Sequence, residues 1–197
     1  MKAIDVLMEE HRVIERVLDS LEVGAERLAR GETVRPGFFL DVADFAANFA
    51  DGCHHRKEEG VLFPAMRQHG APASGGPIEM MLDEHDAGRA YVRQLREAAR
   101  QLASGERRAA GQIVAAAHGY ASLLREHIAK EDEVLFPMAA DLIPDPAQDE
   151  VMSSFARVEH DDTGPHAHAR LLELAQRLQR EAAEPHDAER SLTRMPT

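Results

Sequence analysis

Four histidines and two glutamates carry the chemistry this sequence offers: His11, His54, Glu58, His85, His127 and Glu131. Two of the histidines stand four residues before a glutamate, His54 before Glu58 and His127 before Glu131. On an α-helix, residues four apart share a face and lie about 6 Å apart along the axis, so each pair can turn toward one ion. Imidazole nitrogen together with carboxylate oxygen suits iron, manganese or zinc, whereas calcium and magnesium take shells of oxygen alone. A carboxylate has two oxygens and can bridge two ions. Two such helices supply two bridges, with the four histidines shared between the ions as terminal ligands. Six protein ligands do not fill two octahedral shells, so positions remain for water, an oxo or hydroxo group, or a small exogenous ligand.

The elements that must hold these residues read as helices. Ile4, Leu7, His11, Ile14, Leu18 and Leu21 follow steps of three and four over residues 3–29, which puts His11 where a core leucine belongs. Gly31 ends this helix and Pro36 suits the first turn of the next. The second runs to about Gln68 with Phe38, Val42, Phe45 and Phe49 on its stripe, and then His54, Glu58, Val61 and Ala65. After the loop Gly70–Pro77, a third helix from Ile78 carries Met81, His85, Gly88, Val92 and Leu95 on one face. A fourth spans about Arg107 to Ala140, with Tyr120, Leu123, His127, Glu131, Val134 and Met138 on its stripe. Asp145 and Pro146 open a fifth segment, bent at Gly164–Pro165. The division is therefore an all-α metal-binding bundle over 1–142, an additional C-terminal helical segment over 143–183 and a frayed polar tail over 184–197.

Composition narrows the partners. A net charge of −12 argues against a phosphate backbone as ligand, and no basic amphipathic arm is offered to an anionic membrane. No stretch approaches the roughly 18 apolar residues of a membrane span. Cys53 is the single cysteine, so there is no internal disulfide framework. The first residues lack the apolar core of a signal peptide, which makes a cytoplasmic location the expectation.

Whether the 11 histidines are placed or scattered is decided by a repeat. MEEHRVIERVL around His11 answers LDEHDAGRAYV around His85 at an offset of 74, and HHRKEEGVLFPAM from His54 answers HIAKEDEVLFPMA from His127 at an offset of 73. Two helix pairs of one design can dock about an approximate two-fold axis and bring the six side chains into a central layer. A lone histidine on an apolar stripe is more often a hydrogen-bonded core residue than a ligand. Six matched residues are another matter, since unpaired buried carboxylates are costly and need cations. The alignment places Ile128 opposite His55, so His55 is read as projecting about 100° from His54 and off the layer. Cys53 reads as a small buried thiol, His118 as off the layer, and LFP in both repeats as packing followed by a helix terminator. His160 and His166, near the break in the last segment, read as surface residues, with either one a supplementary ligand candidate.

The order His, His-x-x-x-Glu, His, His-x-x-x-Glu, followed by KEEGVLFP and KEDEVLFPMA, resembles the hemerythrin-type HHE cation-binding domain over about residues 3–140. The resemblance implies an up-down four-helix bundle around a non-haem di-iron centre, with His11, His54, His85 and His127 as terminal ligands and Glu58 and Glu131 as bridges. Zinc or manganese is less favoured. It also implies a small diatomic ligand or peroxide as partner. Phe38–Phe39 can serve as core or as a partner face, so a monomer or a homodimer is expected. Oxygen-carrying members have a His-x-x-x-His pair on the third helix; here Arg89 and Met81 flank His85 at four residues. That departure turns the expectation from oxygen transport toward stress response or iron handling, through a peroxide- or nitric-oxide-reactive oxidoreductase or a non-catalytic iron-sensing or iron-buffering module.

Overall fold

The computed structural model describes residues 1–163 and 167–184. Helix α1 (Lys2–Ala29) forms the first rod. The second is built from α2 (Pro36–Phe45), the wider π-helical segments π1 (Ala46–His55) and π2 (Glu58–Leu62), and α3 (Phe63–Gln68). The third is α4 (Pro77–Ala103), and the fourth joins α5 (Ala109–Lys130), π3 (Glu131–Leu135) and α6 (Phe136–Leu142). Short loops make neighbouring rods antiparallel, an up-down bundle. Helices α7 (Asp145–Thr163) and α8 (Ala167–Ala183) pack back onto it. Among the described residues there is no strand, and no helix is long and apolar enough to cross a membrane. The bend expected at Gly164–Pro165, the candidate ligand His166 and nearly all of the expected frayed tail lie outside the described residues.

The first turn of chain direction is a glycine's work. Gly31, at φ 80°, adopts a left-handed backbone just past α1, which lets the amides of Gly31 and Glu32 return to the Leu28 and Arg27 carbonyls at 3.0 Å. Gly105, at φ 99°, closes α4 in the same way through Leu102 and Gln101. The duplication thus reaches the loops.

The two prolines of the LFP runs do not stop their helices. Pro64 and Pro137 fall in the first turns of α3 and α6, directly after π2 and π3. A proline has no N–H and crowds the carbonyl four residues back. A preceding turn with i→i+5 bonding moves that carbonyl away, so the rod continues. The same widening shifts the phase of the stripe: Val134, expected inside, is 55% exposed, and Leu135 is buried in its place.

Apolar side chains collect in two cores. One contains Ile14, Leu18, Phe38, Phe45, Phe49 and Leu95, and is joined by Ala175 and Leu178 of α8. The other contains Leu7, Leu62, Phe63, Met81, Leu135 and Phe136, and is joined by Val151 and Phe155 of α7. Between them lies a layer of buried polar groups.

Candidate metal centre

Each rod projects its histidine into that layer: α1 gives His11, the second rod His54 and Glu58, α4 His85, and the fourth rod His127 and Glu131. All six are buried, the two glutamates completely. Glu58 spans two histidines, with Oε1 3.5 Å from His54 Nε2 and Oε2 3.4 Å from His85 Nε2. Glu131 Oε2 lies 3.1 Å from His11 Nε2 and 3.3 Å from His127 Nε2. His85 and His127 bring their Nε2 atoms to 3.1 Å of each other. Two sets of donor atoms result, each mutually within 4.8 Å: His11, His54, Glu58 and Glu131 in one, and His55, Glu58, His85 and His127 in the other.

His55 is the residue the sequence reading missed. It does not turn away; it is buried, with its ring stacked on His85 at 3.8 Å between centroids. The cause is π1. A helix bonded i→i+5 turns less per residue than an α-helix, so adjacent residues diverge less and both His54 and His55 can face the layer. The second repeat has no counterpart of π1, since Ala109–Lys130 is α-helical throughout and carries Ile128 there. One local signal existed. Gly52 sits within the helix, where a Cβ would meet the Ala47 carbonyl five residues back at 3.1 Å.

A ring of carboxylates orients the imidazoles. Nδ1 of His11 donates to Asp132 at 2.7 Å, that of His54 to Glu10 at 3.0 Å, that of His85 to Glu59 at 2.7 Å and that of His127 to Glu84 at 2.9 Å. The pattern is itself duplicated: the acid before one repeat's first histidine serves its second, and the acid after each central glutamate serves the first histidine of the other repeat. Lys57 and Lys130 extend it by donating to Glu10 and Glu84. His55 Nδ1 stands 3.5 Å from Asp51, which Arg89 also holds.

With Nδ1 so engaged, Nε2 faces inward. The Nε2 atoms of His11 and His54, both ring nitrogens of His55 and all four oxygens of Glu58 and Glu131 are buried without a hydrogen-bond partner among the described residues. Such orphaned groups are costly unless something binds them. Burial pushes His11 and His85 down, but the carboxylates of Asp132 and Glu131 beside one, and of Glu58 and Glu59 beside the other, outweigh it and raise both to about 9. Burial, reinforced by the neighbouring imidazoles, holds His55 down to about 4 and His127 to about 3. The two central carboxylates separate: burial and the charge of Glu58 push Glu131 up to about 8, whereas His54 and His85 overcome burial and hold Glu58 below the usual carboxylate range. Metal cations in this layer would satisfy the orphaned atoms together, and the mixed nitrogen and oxygen donor set suits iron, manganese or zinc.

The remaining expectations separate cleanly. His160 and His118 are exposed, and neither belongs to the two buried donor sets. Cys53 is a buried thiol, pushed up to about 11 by burial. Its neighbours are Glu10 and His168, at 4.0 and 3.9 Å.

Comparison with known proteins gives a consistent picture. The model of the hemerythrin HHE cation-binding domain matches residues 2–139. An uncharacterized protein of Mycobacterium bovis and one of Mycobacterium tuberculosis are each 24% identical to this chain over 154 residues. The match covers 78% of this chain and 60% of each relative, so the chain spans about three fifths of the length of the curated relatives it matches.

Proposed function

Because this chain belongs to the hemerythrin HHE cation-binding family, we propose that its inward-facing side chains hold two iron ions and that this centre binds oxygen, nitric oxide or peroxide, in stress response or iron handling. The observation that carries the reading is the convergence of buried ligand-type atoms, several without a hydrogen-bond partner among the described residues, with His11, His54, His85 and His127 each fixed by a carboxylate at Nδ1.

The donor sets suggest how the work divides. Glu58 and Glu131 have oxygens near both sets and would bridge. His11 and His54 would complete one ion's protein shell, and His55, His85 and His127 the other's. With two imidazoles against three and both glutamates shared, the His11–His54 side would be the one to take an exogenous ligand. When bound, the ions supply electrons and an open coordination position to a small ligand. The chain's own groups do the rest. Asp132, Glu10, Glu59 and Glu84 fix ring orientation and raise ligand basicity. Phe136, stacked on His11 at 5.3 Å, and the apolar cores on either side keep bulk water out. His55 supplies a fifth imidazole from the second rod, so the absence of a second histidine on α4 does not leave the centre poor in nitrogen.

The test is the response of anaerobically reduced, iron-loaded protein to nitric oxide, oxygen and peroxide, followed optically. A saturable spectral change with at least one of them is expected. A loaded protein indifferent to all three would contradict this function and leave iron sensing or buffering.

A further inference from the structure

The duplication breaks on one side of the centre, and a cavity of about 190 Å³ lies at the break. At the related place in the other half, Ile14, Leu124 and Ile128 are buried and fill the space. Here the matching residues are Gly88, Asp51 and His55, and all three line the cavity. Gly88 leaves open room: a Cβ on it would come no nearer than 3.7 Å to anything, and then only to the Tyr120 ring. Apolar wall comes from Ala46, Ala47, Val92 and Tyr120.

The rim reverses charge as well. Where the first repeat has Glu15, Asp19 and Glu22 along α1, α4 carries Arg89, Arg93 and Arg96 at the cavity. Asp51, Asp86 and Glu59 pair with Arg89, and Asp44 pairs with Arg96. Even so, Arg96 Nε is buried with no hydrogen-bond partner among the described residues, while another nitrogen of the same guanidinium donates to the Ala43 carbonyl and to Asp44. An unsatisfied guanidinium donor on a residue lining an apolar hollow calls for a ligand with an acceptor at one end and an apolar body.

We propose that this cavity is a second small-molecule site, distinct from the open position of the metal centre, that takes an organic monoanion about the size of benzoate. An apolar cavity of about 150 Å³ admits benzene, so the volume here suits a six-membered ring bearing one carboxylate. The carboxylate sits at the Arg93–Arg96 end, away from Asp51, and the ring lies against Ala46, Ala47 and Val92. The occupant rests against the outer side of His55, so binding is read at the metal centre too.

The probe is sodium benzoate, titrated calorimetrically into the iron-loaded full chain. The expected dissociation constant is about 1 mM or tighter, weakened about tenfold or more by Gly88→Leu, which fills the cavity, and by Arg96→Gln, which removes the donor. Ala47→Leu, filling from the opposite wall, must act like Gly88→Leu. Azide, a small anion that ligates iron without filling the hollow, binds all three variants as it binds the parent. A crystal soaked in benzoate shows it beside Arg96. The proposal is overturned if benzoate does not bind, if the cavity-filling variants bind it unchanged, if benzyl alcohol binds as tightly, or if the soaked molecule is found on iron alone. Failure to load iron would instead overturn the metal reading, and it is seen separately in the metal content.

Discussion

At the scale of single residues, the centre is made by pairs. Each of the four family-type histidines is gripped at Nδ1 by a carboxylate one helix away and turns Nε2 toward the layer, and that arrangement fixes which nitrogen can meet an ion. Removing a grip should therefore matter without touching a ligand. Glu84→Ala is expected to weaken metal affinity about 10–100-fold, measured by competition against a chelator; an unchanged affinity would show that Lys130 and Glu84 merely decorate the surface. Cys53 gives a contrast in which burial suppresses chemistry. Its thiol stays protonated until pH nears about 11, so it carries almost no thiolate at pH 8. Iodoacetamide should leave it unmodified in the native protein at pH 8 and modify it quickly in urea, as read by mass spectrometry. The ligand residues were legible in the sequence because they interrupt apolar stripes. Their carboxylate partners were not, although each adjoins a ligand, because helical periodicity assigns Glu10, Glu59, Glu84 and Asp132 to the solvent side. Only the closeness of neighbouring rods reveals what they hold.

At the scale of elements, the π-helical segments decide what faces inward. Spacing of three and four residues located all four rods and the ends set by Gly31, Gly105 and Pro36, since those signals are local. It could not announce a change of helical pitch. That is why Val134 was expected inside and is exposed, and why His55 was expected off the layer and lies within it. Gly52 marks the place where the pitch changes. In Gly52→Ala the new Cβ presses on the Ala47 carbonyl at 3.1 Å, and that backbone cannot give readily while π1 persists. The turn should relax toward α-helix and draw His55 from the centre. Helix propensity improves by about 1 kcal/mol, so the expected result is a melting temperature at least as high as the parent's with a loss of bound iron. Parental iron content would show that π1 is not what brings His55 to bear. Helices α7 and α8 were visible as helical segments, but not their destinations. Their few apolar residues match either core equally well in sequence, and only packing assigns Phe155 to one and Leu178 to the other.

At the scale of the whole molecule, a polar layer divides two apolar cores, and the cost of that layer is met by whatever occupies it. Two fully buried glutamates beside five buried histidines are a poor bargain for a bundle that binds no ion. Ion binding to the native state alone stabilises it by mass action, about 4 kcal/mol at a thousandfold excess over the dissociation constant. For a chain of this length that raises the melting midpoint by roughly 8–16 °C. Stripping the metal with a chelator should lower the midpoint by that much, and calorimetry would show it. The most direct test of the central claim is the metal content of protein made under iron-replete conditions and purified in air, taken with its optical spectrum. About two iron ions per chain and oxo-to-iron absorption bands are expected. Fewer than one iron per chain with no such bands would contradict it.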